Sequence, residues 1–293
     1  MCFIENDEKQ DGIGLAGTIL KSINKGDDMK KIVMVLFLGL AIFIQLYPET
    51  AKDYLDVIRT CAIQGYVGAS FSTDAKAMAE SVHPKLTKFR VRSPITVNSM
   101  TQNDLVNNQI KRAKKNKFVN WKKLKLKYEV LDLTKNIAAV KVENFRFWDL
   151  IFLTKHDSQW LVTNVVWDLP NTAEAGTEKE LVKTVEDYLT AIYKRDIKTL
   201  DKILHPRLDM RKALTKDSVD SVGKEWLIEQ VKNKRWKKLT KKELNIEISV
   251  LDIHKSYASV KVSSAAGTEY LHLKYFENQW YLINGLWERN SSN

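Results

Sequence analysis

Cysteine is nearly missing from this chain. Its 293 residues hold two, Cys2 and Cys61, so no disulfide framework supports the fold. Five prolines and eleven glycines are too few for long disordered or collagen-like stretches. Five histidines, at 83, 156, 205, 254 and 272, form no His-x-x-x-His pair, and no Cys-x-x-Cys or carboxylate cluster joins them. The sequence therefore implies no metal and no cofactor. Also lacking are Gly-x-x-x-x-Gly-Lys-(Ser/Thr), Gly-x-Gly-x-x-Gly and Gly-x-Ser-x-Gly. Their absence excludes glycine-loop nucleotide cradles and the nucleophile elbow.

Long apolar runs are lacking too. The longest, Ile32 to Leu46, has about fifteen residues, short of the roughly 20 that a spanning helix needs. It follows Met29-Lys30-Lys31, and a basic start before a short apolar run is the form of a secretory signal. Residues 29–48 are expected to be a signal peptide or an N-terminal membrane anchor (30–47), with the protein exported to the periplasm or medium. Residues 1–28 precede this start and read as an upstream extension.

What is abundant is apolar surface and positive charge. Hydrophobic residues make up 44% of the chain, enough for two separate cores. Lys and Arg exceed Asp and Glu by 47 to 36. Residues 49–170 carry 20 basic and 12 acidic groups, and residues 171–293 carry 22 and 18. Such a balance favours anionic partners without specifying a fold.

The chain is written twice. SQWLVTNVVW (158–167) returns as NQWYLINGLW (278–287), and KLKLKYEVLDL (123–133) as ELNIEISVLDI (243–253). In both copies of the latter, apolar residues fall on alternate positions, the period of a strand with one buried face. Ala138–Val142 and Ala258–Val262 repeat as AAVKV and ASVKV. Four strands in short succession predict an antiparallel meander per copy. Upstream the period lengthens: Leu181, Val185, Tyr188, Leu189 and Ile192 mark an amphipathic helix, matched by Ile63, Tyr66 and Val67. Asp74 and Asp196 stand as N-caps of two short helices that stop at His83-Pro84 and His205-Pro206. A capping box at Thr101 to Asp104 opens a third helix, whose partner holds Trp226, Leu227 and Val231.

These patterns predict an α+β fold of two tandem domains, 49–170 and 181–293, joined by a polar linker at 171–180. Each domain is expected to pack about three N-terminal helices on a curved antiparallel sheet. The helix ending in His-Pro, the Ala-x-Val-Lys-Val strand and the Trp-bounded terminal strand resemble the nuclear transport factor 2-like superfamily. Within it, the putative lumazine-binding group is the most similar. The resemblance implies a cone, in which the sheet wraps the helices around a pocket. Such pockets serve isomerases, dehydratases, hydrolases, cyclases and binding modules alike, so the fold does not settle the chemistry.

Candidate residues carry competing readings. His83 and His205 could be general bases at a pocket rim, or helix-ending histidines bonded to nearby backbone, and their presence in both copies favours the latter. Tyr66 and Tyr188 could supply a phenol inside each cone. Strand parity puts Leu, Ile and Val on the inward positions, leaving no carboxylate for an isomerase-like base. Asp132 and Asp252 read as turn residues, and the paired tryptophans as core. Lys114, Lys115 and Lys117, with Lys234, Arg235, Lys237 and Lys238, could form an anionic-surface site or a solvated face. The expected function is an exported, non-catalytic binding protein for a small apolar or amphipathic ligand, its two halves able to pair as an intramolecular pseudo-dimer. An enzyme with a His base and a Tyr donor is the alternative. Nucleic acid is not an expected partner of an exported chain.

Overall fold

The computed structural model describes residues 48–93, 95–170, 176–215, 218–235, 245–265 and 267–289. The expected upstream extension, and the expected signal or anchor apart from Pro48, therefore lie outside the described residues, as does the core of the linker. No helix among the described residues is long and apolar enough to cross a membrane. The larger compact unit covers residues 58–293. Of the other, only residues 48–57 are described, on helix α1 (Pro48–Arg59).

In the first domain α1 runs into a π-helical stretch, Thr60–Gly68, and the short α2 (Ala69–Ser72). Helix α3 (Ala75–Ser81) follows, capped by the Asp74 carboxylate, which accepts from Ala77 N–H at 2.9 Å. Then come β1 (Val82–Val91), β2 (Val97–Met100) and α4 (Gln102–Ala113), whose Thr101–Asp104 capping box forms as expected. The meander is β3 (Lys127–Leu133), β4 (Ile137–Glu143), β5 (Trp148–His156) and β6 (Gln159–Asp168). The second domain repeats this with α5 (Glu178–Lys194), α6 (Ile197–Ile203), β7 (Leu204–Ala213), β8 (Val219–Val222) and α7 (Lys224–Lys232). Strands β9 (Glu247–His254), β10 (Tyr257–Ser264), β11 (Gly267–Phe276) and β12 (Gln279–Arg289) complete it.

Each sheet has six strands, not four, in the orders β2-β1-β6-β5-β4-β3 and β8-β7-β12-β11-β10-β9. The additional hairpin starts at the His-Pro dipeptide that ends the second helix. Strand β1 runs parallel to β6, and their register shifts between Val82 and Thr87. Pro84 sits in that bulge, where its missing N–H breaks no ladder bond. Strand β7 repeats the irregularity against β12.

The outer faces of the two sheets lie against each other within the larger unit. Phe89, Val91, Trp148, Leu150 and Val166 of the first sheet pack with Tyr257 and Ile283 of the second. Phe152 stacks on His272, with ring centroids 3.6 Å apart and planes 9° apart. Lys141 meets Asp252 at 3.0 Å, and Lys261 meets Asp132 at 2.8 Å. Asp132 and Asp252, expected as turn residues, thus sit on strands and pair across the seam. These partners exchange under the 120-residue offset, so the two faces meet about a pseudo-two-fold axis through Phe152 and His272. Asn164 donates to Gly285 O at 3.2 Å, and Asn284 pairs with His272 Nδ1 at 2.8 Å. Both asparagines belong to the seam.

A buried lysine in the first cone

With the outer faces joined, the opposite parity of each sheet looks toward its own helices. In the first domain that parity brings Lys88 of β1, Asp149 of β5 and Trp167 of β6 beneath the π-helical stretch. Gly65 lets that stretch approach α3, since a Cβ there would lie 2.6 Å from Ser81 Cβ. The next residue, Tyr66, is thereby placed over the sheet. Departures from α-helical winding of this kind often occur at functional sites.

Lys88 Nζ donates to Asp149 Oδ1 at 2.6 Å and to Tyr66 OH at 2.5 Å. The phenol donates in turn to Asp149 Oδ2 at 3.2 Å. Lys88 is 6% exposed, Asp149 0% and Tyr66 3%. The ammonium also lies 5.2 Å from the ring centroids of Tyr66 and Trp167 and 5.3 Å from that of Phe147. Burial disfavours both charges, lowering the lysine pKa and raising that of Asp149, while each partner opposes the other's shift. Burial first, and then the Asp149 charge, push the phenol well up, so Tyr66 stays protonated.

This cluster borders a cavity of about 340 Å³. Tyr66, Lys88, Phe147 and Trp167 line one side, and Met78, Met100 and Leu105 add apolar surface. Lys111, Arg112, Lys115 and Lys117, from α4 and the segment after it, bring positive charge, and Ser70, Asn108 and Gln109 complete the lining. A volume just above 300 Å³ suits a small organic ligand.

The second cone is built on the same plan with a different filling. Register equates Lys88 opposite Val165 with Met210 opposite Gly285, and Asp149 opposite Trp167 with Glu269 opposite Trp287. Met210 and Tyr188 belong to a continuous apolar core with Leu181, Leu227 and Trp287. A Cβ on Gly285 would lie 2.7 Å from Met210 Cε, a measure of how tightly the methionine fills that position. Where the first cone has Lys88, the second has a space-filling side chain.

Of the four pocket candidates, Tyr66 lines the cavity and Tyr188 lies in the second core. His83 is fully buried, accepting from Lys85 N–H at Nδ1, with Nε2 3.1 Å from Thr215 O. His205 accepts from Arg207 N–H at 3.0 Å, and burial lowers its pKa. Neither histidine is on the cavity wall. Among the basic candidates, Lys115 and Lys117 border the cavity, Lys114 caps α4, and Lys234 and Arg235 are exposed. Lys237 and Lys238 lie outside the described residues.

The expectation that no carboxylate faces inward was wrong. Trp148–Leu153 of β5 are buried on both faces because the seam dries the outer one, so the alternation that would mark Asp149 disappears. Comparing the copies gives the available signal: an acid recurs at 149 and 269, and a lysine at 88 faces a methionine at 210.

A family model described as putative lumazine-binding matches residues 53–168 and again 177–288, well over half of the chain. The chain belongs to this family. Its two copies carry the nuclear transport factor 2-like α+β fold. Several solved structures are similar. A nuclear transport factor 2-like protein of unknown function from Silicibacter pomeroyi shares 14% identity over 38% of this chain and 94% of its own, with a TM-score of 0.32. One from Methylobacillus flagellatus shares 24% over 40% and 92%, with a TM-score of 0.30. One described as a putative ketosteroid isomerase, from Shewanella frigidimarina, shares 13% over 40% and 100%, with a TM-score of 0.30. No curated protein matches the chain.

Proposed function

We propose that the chain is an exported, non-catalytic small-molecule-binding protein in which the first cone holds the ligand and the second is a scaffold. The observation that carries this is the contrast at one sheet position. Lys88 borders a cavity of about 340 Å³, and its counterpart Met210 lies packed in a core. The paired outer faces act as an intramolecular stand-in for a dimer, holding the first sheet rigid behind its site. The basic Met29–Lys31 before a short apolar run supports export, and N-terminal sequencing of the protein from cell fractions tests it.

Lumazine, the flat heterocycle in the family's name, is the first probe. Titrated into the full chain, it should bind with one site, and Lys88→Met should abolish the binding. Binding at two equal sites, or binding indifferent to Lys88, would overturn the one-cone reading.

One observation favours a second reading, acid–base catalysis. Asp149, Lys88 and Tyr66 form a desolvated donor–acceptor set beside a cavity, an arrangement able to move a proton to or from a bound molecule. Turnover of a bound compound that is lost in both Asp149→Asn and Tyr66→Phe would select it over simple binding.

A further inference from the structure

The charges around the first cavity are distributed unevenly. Its wall includes Lys88, Lys111, Arg112, Lys115 and Lys117 and, among the described residues, no carboxylate. Asp149 lies behind Lys88 and compensates it, so the deep end is close to neutral and the uncompensated charge gathers on the side of α4. On that helix Asp104 is engaged at the N-terminus in the capping box, three turns from Lys115. Arg112 is half-buried, with one terminal nitrogen on Ser70 O and 3.4 Å from Gln109 Oε1. Burial and then the neighbouring Arg146 hold its pKa down, so two guanidinium groups repel here. Arg146 in turn lies over the rings of Phe71 and Phe145, at 5.3 and 5.2 Å.

From this geometry we infer that the first cavity takes a small organic anion with a flat aromatic body, its charge held at the α4 end by Arg112 and the neighbouring lysines. The inference rests on the one-cone reading and adds the class of ligand. The body meets the rings of Tyr66, Phe147 and Trp167, which offer both faces and edges to a planar group. Two of the ammonium donors of Lys88 are engaged by Asp149 and Tyr66, which leaves a third for a polar atom at the inner end of the ligand. A guanidinium that binds carboxylate through two parallel hydrogen bonds explains why arginine, rather than another lysine, is the half-buried cation.

Three probes with one ring system and different charge test this: 2-naphthoate, 2-naphthylmethanol and 2-naphthylmethylamine, titrated calorimetrically into the full chain. The naphthoate should bind at least about tenfold more tightly than the alcohol, the worth of one charge-assisted hydrogen bond, and the amine most weakly. Arg112→Gln should erase most of that preference while leaving the alcohol unchanged. If Arg112→Gln proves unstable, the double change Lys115→Gln with Lys117→Gln, both exposed, should shrink the preference several-fold, as should raised salt. Equal binding of alcohol and naphthoate, or a preference untouched by either variant, would overturn the anion class. Lumazine binding without naphthoate binding would overturn it too, while the one-cone reading stands. Failure of every compound, lumazine included, would remove both.

Discussion

Lys88 and Asp149 make a buried ion pair, and such a pair is costly to break on one side only. Lys88→Met leaves Asp149 buried with Tyr66 as its sole partner, which should destabilise the chain by about 3 kcal/mol near pH 7 in urea unfolding. Burial raises the Asp149 pKa, so the folded variant holds its proton more tightly than the unfolded chain does. Its penalty is therefore absent below the ordinary carboxyl pKa of about 3.9 and grows as pH rises above it. The deficit should narrow between pH 7 and pH 4, and Asp149→Leu added to Lys88→Met should recover most of it. His272 has the opposite sense. Burial lowers its pKa to about 3, against a weaker opposing effect from Asn284. Stability from the neutral ring is full above pH 6.5 and is lost as pH falls toward the folded value. His272→Phe, which copies Phe152, should flatten the acid side of the stability curve by up to about 1.4 kcal/mol per pH unit. At this scale the sequence was a poor guide. Tyr66 was visible because helices keep their period, whereas Lys88 and Asp149 were hidden by polarity in places where polar groups seldom go.

Helix ends were the most legible elements. Asp74, Thr101 and Asp196, expected as caps, each accept from the third residue on. Thr177 does the same, inside the stretch that reads as linker. Asp196→Ala should cost about 1 kcal/mol, read as a shift in the denaturation midpoint without change in slope. The four meander strands were legible in each copy because turns punctuate them. Strands β1 and β7 were not. Their first residues contain His-Pro, which reads as a stop, and the alternation of Lys88 and Arg90 with Phe89 and Val91 that follows is only four residues long. Arg90 sits there because Asp168 accepts from its Nε at 2.7 Å and the Trp167 ring lies 5.4 Å away. The strand is held by partners that only the folded sheet supplies.

At the scale of the whole molecule, duplication was legible, but the residues of the seam and their pairing were not. Nothing local tells Lys141 that its partner is Asp252. That follows once two equal faces meet about an axis, since residues 132 and 141 of one copy then oppose 261 and 252 of the other. The same geometry predicts the behaviour of a separated half. Residues 49–170 expressed alone should form a homodimer, with Asp132 of each copy opposite Lys141 of the other. Sedimentation should give a dimer that Lys141→Asp converts to monomer, whereas a wild-type half that stays monomeric would contradict the pseudo-two-fold account.

The division of labour between the cones is tested most directly by asking which tryptophan a ligand reaches. Trp167 borders the first cavity, and its counterpart Trp287 packs in the second core. Titration with 2-naphthoate should quench tryptophan emission in the parent chain and in Trp287→Phe, and the quenching should disappear in Trp167→Phe. Quenching lost in Trp287→Phe and kept in Trp167→Phe would place the ligand in the wrong cone and contradict the account.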